Sequence, residues 1–165
     1  MHKVFLLLGS NLGVRETYLS ISRKAIAETI GRIEAVSSMY ETASWGRTGQ
    51  PDYINQLLIV KTELPPETIL RRILSIEKEL GRQRNEKWES RVIDIDILFY
   101  DNCIIKQPDL TVPHPLLHQR RFALEPLAEL EPEWVHPVYN VNVKELLEKL
   151  TDDLPVKRIK NNTVL

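Results

Sequence analysis

The chain has 165 residues, and its 22 lysine and arginine residues nearly balance its 23 aspartate and glutamate residues, giving a net charge of −1. A balanced charge creates no global field that would attract nucleic acid or an anionic membrane. The single cysteine, Cys103, excludes an internal disulfide, and the chain shows no apolar run as long as a signal core or a membrane span. We therefore expect one cytoplasmic domain over residues 1–165, with a frayed tail at 161–165.

Two apolar patterns open the chain. Residues 4–8 form a run with the length of a buried strand, and a turn of glycine and capping residues follows at 9–13. From Val14 the apolar residues recur with the period of a helix, and Gly31 stands where a C-terminal cap is expected. The predicted apolar face of this helix consists of Tyr18, Ile21, Ala25, Ile26 and Ile30.

The next elements complete a recognisable order. Strand propensity is high at residues 33–40, and residues 53–62 alternate between two faces. A helix is predicted over 65–80, opened by two prolines and closed by Gly81, and a strand over 92–100. The order β-α-β-β-α-β predicts an α+β fold, the ferredoxin-like sandwich of an antiparallel sheet with both helices on one face.

Smaller elements are expected after this unit. Residues 103–106 and 110–112 are consistent with a short hairpin, since turn residues flank them. Short helices are predicted at 123–130 and 143–150. The fold is therefore expected to carry a C-terminal hairpin and short helices beyond the β-α-β-β-α-β unit.

A polar connection and the strand after it form one candidate binding region. Residues 41–51 contain two glycines and a proline, and such long connections in compact domains are often binding loops. Trp45 within it is either a docking ring or a loop anchor. Tyr53 and Asn55 point to one face of the following strand, which can be a platform for a flat heterocycle or an ordinary sheet face.

The strand at 92–100 carries two carboxylates that an ordinary buried strand would lack. Asp94 and Asp96 point to one face and lie about 7 Å apart along the backbone, close enough to share hard cations. A loop of cations with one tryptophan, at residues 82–91, comes just before them. Carboxylates that can hold Mg²⁺, guanidinium groups and an aromatic ring are what a nucleoside triphosphate requires. The alternative is a structural salt bridge between these carboxylates and Arg91.

The motifs of this chain resemble those of 6-hydroxymethyl-7,8-dihydropterin pyrophosphokinases, enzymes of the folate pathway. The spacing K-W-x-x-R-x-x-D-x-D at residues 87–96 is similar to the signature of that family. The turn G-S-N-L-G at 9–13 and the triplet V-P-H at 112–114 also resemble family motifs, and the likeness extends over roughly residues 4–137. Agreement between such distant segments makes a chance match of one short motif a poor explanation.

The resemblance implies an ATP-dependent enzyme that transfers pyrophosphate from MgATP to 6-hydroxymethyl-7,8-dihydropterin and releases AMP. It implies that Asp94 and Asp96 hold two Mg²⁺ ions. The implied catalytic residues are Arg82, Arg91, Asp94 and Asp96. The implied ATP-binding residues are Arg84, Lys87, Trp88, Ile97, Thr111, His114 and Arg120. The implied pterin-binding residues are Thr42, Ala43, Trp45, Tyr53, Asn55 and Phe122, with Tyr53 and Phe122 on the two sides of the ring. No nucleic acid, membrane or obligate protein partner is implied.

Two other classes of protein share the expected topology. A ferredoxin-like domain can be a regulatory module that binds a small molecule without chemistry, since a fold does not determine a function. That reading leaves Asp94 and Asp96 without a role. An RNA-binding sheet of the same topology places stacking aromatic residues on its central strands, where this chain has the two aspartates instead.

Overall fold

The computed structural model describes residues 1–42, 52–81 and 92–159. Within these ranges the chain forms β1 (His2–Ser10), α1 (Arg15–Thr29), β2 (Arg32–Val36), β3 (Met39–Thr42), β4 (Tyr53–Thr62), α2 (Pro66–Glu79), β5 (Asp94–Tyr100), β6 (Ile105–Gln107), β7 (Leu110–Val112), α3 (Arg121–Leu130), α4 (Val143–Glu148) and β8 (Val156–Ile159). One turn of 3-10 helix, Leu117–Gln119, precedes α3. The elements up to β5 follow the predicted β-α-β-β-α-β order, and β6 and β7 form the predicted hairpin.

The main sheet is antiparallel, with the strand order β5-β1-β4-β3-β8, and β2 also pairs with β4. The two central strands, β1 and β4, contain the continuous apolar runs 4–8 and 57–60 and pair from His2 opposite Thr62 to Ser10 opposite Ile54. Because central strands are covered on both faces, such continuous apolar runs are expected there. The ferredoxin-like α+β fold predicted from the sequence is confirmed.

Two layers of helix cover the two faces of the sheet. On the first face, α1 and α2 bury residues such as Ile26 and Ile73 against the even-numbered apolar side chains of β1. On the second face, α3 buries Leu124 and Leu127 against Phe5 and other residues of the sheet. Burial of these apolar side chains at roughly 25 cal/mol per Å² is the main force that holds the layers together. The second face is the one on which the predicted site residues Asp94 and Asp96 lie.

The helix boundaries follow from local signals. Pro66 opens α2, where the missing N–H costs nothing, and Glu67 lies near the positive end of the helix dipole. Gly81 follows α2 with a φ of 88°, the left-handed conformation that glycine adopts readily. The predicted face of α1 is partly wrong, because Ile21 is 44% exposed while Leu19 and Ser22 are fully buried. The buried stripe is therefore rotated from the predicted one.

The strand predicted at residues 33–40 is instead divided into β2 and β3. Ser37 lies between them and forms hydrogen bonds to β4 that interrupt the regular ladder: its Oγ accepts from the Leu57 N–H at 2.9 Å, and its carbonyl accepts from Gln56 Nε2 at 2.9 Å. The register with β4 changes across this point, from Val36 opposite Leu58 to Tyr40 opposite Asn55. An extra residue of this kind is a β-bulge, which redirects a strand.

The C-terminal strand β8 was not predicted from the sequence. It pairs antiparallel with β3, from Met39 opposite Ile159 to Thr42 opposite Val156. Its two middle residues are exposed and its two end residues are only partly buried, so the segment is too short and too polar to distinguish from a loop by its sequence. The frayed tail expected at 161–165 lies outside the described residues. Among the residues that are described, none of the helices is long and apolar enough to cross a membrane.

Candidate active site

The two aspartates of β5 lie on the second face of the sheet, away from α1 and α2. Asp96 pairs with Leu7 of β1, whose side chain belongs to the core beneath α3. Ile95 and Ile97 point the opposite way, into the core beneath α1 and α2. The prediction that one face of this strand is acidic and the other apolar is confirmed. Both carboxylates are partly exposed, so a ligand can reach them.

Tyr53 and Asn55 of β4 lie on the same face as the aspartates. Gly9 of β1 pairs with Asn55 on one side and with Asp94 on the other. Directly opposed residues in antiparallel strands point to the same face, so Asn55 and Asp94 flank a residue without a side chain. The backbones of Asn55 and Asp94 are therefore two strand spacings apart, which is about 10 Å. Gly9, which has no side chain, therefore lies between the residue that carries the amide and the residue that carries the carboxylate.

Asn55 is buried and carries a side-chain donor without a partner among the described residues. The residue is 4% exposed, and its side-chain nitrogen Nδ2 is buried without a hydrogen-bond partner among the described residues. A Cβ atom placed on Gly9 would lie 2.7 Å from Asn55 Oδ1 and 3.6 Å from Tyr53 Cδ1. The amide and the tyrosine ring thus converge over Gly9. A buried donor without a partner costs free energy in the empty protein, and a ligand acceptor removes that cost.

Arg120 and Phe122 come to this face from the start of α3. The guanidinium carbon of Arg120 lies 5.4 Å from the centre of the Phe122 ring, and Phe122 packs partly against the second core. Arg120 is 9% exposed. Burial lowers the pKa of its guanidinium below the ordinary value, and the negative charges of Asp96 and Asp94 oppose that change. Arg120 is therefore a buried cation whose charge is favoured by the carboxylate pair.

His114 is fixed as a neutral imidazole. Its backbone N–H donates to the Leu98 carbonyl at 3.1 Å, which attaches the segment after β7 to β5. Its Nδ1 accepts from the Leu116 N–H at 3.2 Å, so the ring proton resides on Nε2. Burial and the nearby charge of Arg120 lower the pKa of His114 to about 4. Near neutral pH the ring can donate one hydrogen bond and carries no charge.

Three other predicted site residues have different surroundings. Ile97 is 6% exposed, and its side chain points into the first core, away from the two carboxylates. Only its backbone is left to contact a ligand on the carboxylate side. Thr111 is exposed in the middle of β7. Thr42 is buried, and its Oγ1 donates to the Pro155 carbonyl at 3.0 Å. The remaining predicted residues lie outside the described residues: Ala43, Trp45, Arg82, Arg84, Lys87, Trp88 and Arg91.

Glu77 is a residue that the sequence analysis missed. It lies on the buried stripe of α2, 2% exposed, and its Oε2 accepts from the Ile95 N–H at 2.9 Å. Ile95 is the residue between the two aspartates, so this bond fixes the backbone from which both carboxylates project. The sequence did contain a signal for its burial, because Glu77 lies four residues after Ile73 and therefore on the apolar face of the helix.

The carboxylate pair fits a magnesium ion that shares its ligands with a substrate. Mg²⁺ prefers oxygen ligands and in phosphate-binding sites usually takes one or two carboxylates, completing its shell with waters and phosphate oxygens. Asp94 and Asp96 supply two such carboxylates on one face. The described part of the chain contains no cluster of three His, Cys, Asp or Glu residues that could hold a metal without such help.

A ferredoxin-like sheet with a carboxylate pair, a buried arginine and an unpaired amide on its second face defines a small-molecule site rather than a nucleic-acid surface. Comparison with known proteins agrees. The family model described as 7,8-dihydro-6-hydroxymethylpterin-pyrophosphokinase (HPPK) matches residues 5–132.

Similar proteins align over most of their length. A 2-amino-4-hydroxy-6-hydroxymethyldihydropteridine pyrophosphokinase of Aquifex aeolicus is 42% identical over 145 residues, which cover 88% of this chain and 90% of the relative. One of Methylorubrum extorquens with the same name is 39% identical over 160 residues, covering 96% of this chain and 99% of the relative. The chain belongs to the 7,8-dihydro-6-hydroxymethylpterin-pyrophosphokinase family.

Solved structures support the fold. The structure of Plasmodium falciparum HPPK-DHPS wild type with pteroate has a TM-score of 0.74 and 18% sequence identity, and the match covers 90% of this chain. The match covers 42% of that longer chain, and at this low identity the likeness describes the fold alone.

The family assignment gives the reaction. The protein is an ATP-dependent pyrophosphokinase that transfers a pyrophosphoryl group from ATP to hydroxymethyldihydropterin in folate biosynthesis. The regulatory and RNA-binding alternatives are therefore excluded as its main function.

Proposed function

We propose that the pterin and the phosphates of ATP meet over Gly9, with Asn55 on the pterin side and Asp94 with Asp96 on the phosphate side. The observation that carries this proposal is the buried Nδ2 of Asn55, a donor without a partner among the described residues. A pterin ring presents nitrogen and oxygen acceptors along its edge, and one of them satisfies this donor. The ring lies between Tyr53 and Phe122, where stacking adds about 1 kcal/mol for each aromatic neighbour.

Asp94 and Asp96 are proposed to hold two Mg²⁺ ions together with the phosphates of ATP. Bound Mg²⁺ offsets phosphate charge and makes a coordinated hydroxyl more acidic, so the protein needs no dedicated base. The sharing of ligands with ATP explains why two carboxylates are sufficient on the protein side.

In the proposed reaction, the hydroxymethyl oxygen of the pterin attacks the β-phosphorus of ATP in line. The new O–P bond forms as the bond from the β-phosphorus to the bridging oxygen breaks, and AMP leaves with that oxygen; the hydroxyl proton passes to solvent. Arg120 lies near the carboxylates and stabilises negative charge on the transferred group. His114 donates one hydrogen bond from Nε2 on the nucleotide side.

The remaining family-implied residues complete the proposal. Arg82 and Arg91 are proposed to stabilise the charge that develops in the transition state. Arg84, Lys87 and Trp88, with Thr111 and the backbone at Ile97, are proposed to bind ATP, and Thr42, Ala43 and Trp45 to bind the pterin. We further propose that residues 1–165 work as a single domain in the cytoplasm, where ATP is supplied.

The test separates the two sides of the site by steady-state kinetics. Purified protein is incubated with MgATP and 6-hydroxymethyl-7,8-dihydropterin, and AMP is followed by chromatography. Asn55→Ala is expected to raise KM for the pterin by about tenfold or more with little change in KM for ATP, since its donor contacts only the pterin. Asn102→Ala, at an exposed turn, is the matched control. An unchanged pterin KM in Asn55→Ala would contradict the proposed placement.

A further inference from the structure

We propose that Arg15, the first residue of α1, is a positioning residue for the pterin side of the site. It touches neither substrate in this proposal, which rests on the placement of the pterin beside Tyr53 and Asn55. Its role is to hold together the adjoining ends of β3 and β4, from which the pterin-side residues Thr42 and Tyr53 project.

One guanidinium nitrogen of Arg15 makes both contacts. Nη1 donates to the Asp52 carbonyl at 2.9 Å and lies 3.0 Å from Glu41 Oε2. Glu41 is the penultimate residue of β3, and Asp52 directly precedes β4. The side chains of Arg15 and Glu41 are 27% and 31% exposed, so water screens this ion pair only in part. Arg15 therefore joins the end of β3 to the residue that directly precedes β4.

The joined ends belong to the proposed pterin site. Thr42 pairs with Tyr53, and Glu41 pairs with Ile54, so these residues are the final rungs of the β3–β4 ladder. Asn55 is the next residue of β4 and pairs with Gly9. Paired strands separate most easily at their last residue pairs, since fewer neighbouring residues hold those pairs together. Fixing the last rung limits the movement of the Tyr53 ring relative to Asn55.

Arg15 also fixes this corner to a third element. It follows the turn between β1 and α1, where Gly13 has a φ of 65° and a Cβ atom there would lie 2.9 Å from the Tyr18 ring. This turn begins directly after Gly9 and Ser10. One side chain thus connects the strand that floors the site with the two strand ends that border it.

An ion pair of similar composition at the other end of β4 provides a matched control. Arg32 Nη2 lies 3.2 Å from Glu34 Oε1, and its side chain is 70% exposed. Arg32 pairs with Lys61, at the opposite end of β4 from Tyr53. Removal of either arginine deletes one cation and one ion pair. Only Arg15 lies at the proposed pterin end.

The experiment compares Arg15→Gln, Arg15→Lys and Arg32→Gln in steady-state AMP formation, with thermal unfolding of each variant measured in parallel. We expect Arg15→Gln to raise KM for the pterin about three- to tenfold, with kcat and KM for ATP changed by less than about twofold. Arg15→Lys keeps the charge and is expected to give an intermediate pterin KM, and Arg32→Gln is expected to match the wild type.

Other outcomes overturn the proposal. A pterin KM in Arg15→Gln equal to that of the wild type, or a loss of kcat that only parallels a loss of folded protein, would show that Arg15 is merely structural. Tyr53→Ala separates this failure from that of the proposed site. If Tyr53→Ala raises the pterin KM and Arg15→Gln does not, the site is right and the role of Arg15 is wrong. If neither variant changes it, both are wrong.

Discussion

Asn55 on β4 and Asp94 on β5 lie opposite the same residue, Gly9 of β1, and their side chains stand on the same face of the sheet. Since Gly9 has no side chain, nothing from β1 fills the space between the amide and the carboxylate. The two halves of a transfer reaction can meet there, with an acceptor molecule at the amide and charged phosphates at the carboxylates. This arrangement links the strand order of the fold to the chemistry of the family.

Loss of either carboxylate should strongly reduce turnover without unfolding the protein. Asp94→Ala and Asp96→Ala are expected to lower kcat by about 10²- to 10³-fold or more, since metal-assisted charge stabilisation contributes several kcal/mol. Far-UV circular dichroism should stay unchanged, because both side chains are partly exposed. Asp109→Asn, in the exposed turn between β6 and β7, is the control and should retain activity. Turnover at the wild-type rate in Asp94→Ala would contradict the metal assignment.

A methyl group at Gly9 should damage pterin binding through Asn55. In Gly9→Ala the new Cβ would lie 2.7 Å from Asn55 Oδ1, so the amide has to move. We expect KM for the pterin to rise about tenfold and the free energy of unfolding to fall by about 1–3 kcal/mol, as overpacking does.

A double-mutant comparison checks that mechanism. In an Asn55→Ala background the atom that the methyl group meets is absent, so Gly9→Ala should add little to the pterin KM. Fully additive effects of the two substitutions would show that Gly9 acts by another route.

The bond between Glu77 and β5 should affect activity as well as stability. Glu77→Leu leaves the Ile95 N–H without this acceptor, which costs about 1–3 kcal/mol of unfolding free energy for a buried donor. Since Ile95 separates the two aspartates, kcat is expected to fall in parallel. Glu77→Gln keeps an oxygen acceptor of the same length and should retain most of both properties. Equal behaviour of the two variants would argue against this hydrogen bond as the cause.

Stability should fall in mild acid because of buried histidine. The pKa of His114 is about 4 in the folded protein, below the ordinary value of 6.5. Between these values the unfolded chain binds more protons than the folded one, so the free energy of unfolding decreases as pH falls from about 6.5 to about 4. His136, whose burial and neighbour His118 also lower its pKa to about 4, adds to the same trend.

The variant His114→Asn isolates one contribution. Its side-chain oxygen can accept from the Leu116 N–H in place of Nδ1, while the titrating ring is gone. Urea unfolding at a series of pH values should show a smaller loss of stability below pH 6.5 than in the wild type, by at most about 3 kcal/mol at pH 4. An identical pH dependence in the two proteins would rule out His114 as a contributor.

Much of the fold could be predicted from periodicity and turn residues. The strand at 53–62 and the helix between Pro65 and Gly81 were predicted nearly to the residue, because alternation and capping signals agree there. The division between β2 and β3 could not be predicted, since it depends on hydrogen bonds from Ser37 to a strand distant in sequence. The strand β8 exists only through its pairing with β3.

The arrangement of the candidate site also depends on contacts between segments that are distant in sequence. A period of two correctly placed Asp94 with Asp96 on one face of their strand and Tyr53 with Asn55 on one face of theirs. It could not show that these two faces are the same side of the sheet, or that Gly9 separates them. Those facts depend on strand order and register, which are set by packing between distant segments. Glu77 was missed because its role depends on the same long-range geometry.

The most direct test of the account is a crystal structure with the pterin, Mg²⁺ and an ATP analogue that cannot transfer its pyrophosphoryl group. We predict the pterin edge within hydrogen-bond distance of Asn55 Nδ2, the ring between Tyr53 and Phe122, and Mg²⁺ on the carboxylates of Asp94 and Asp96. A pterin bound elsewhere, with Asn55 Nδ2 still without a partner and no metal on the two aspartates, would contradict it.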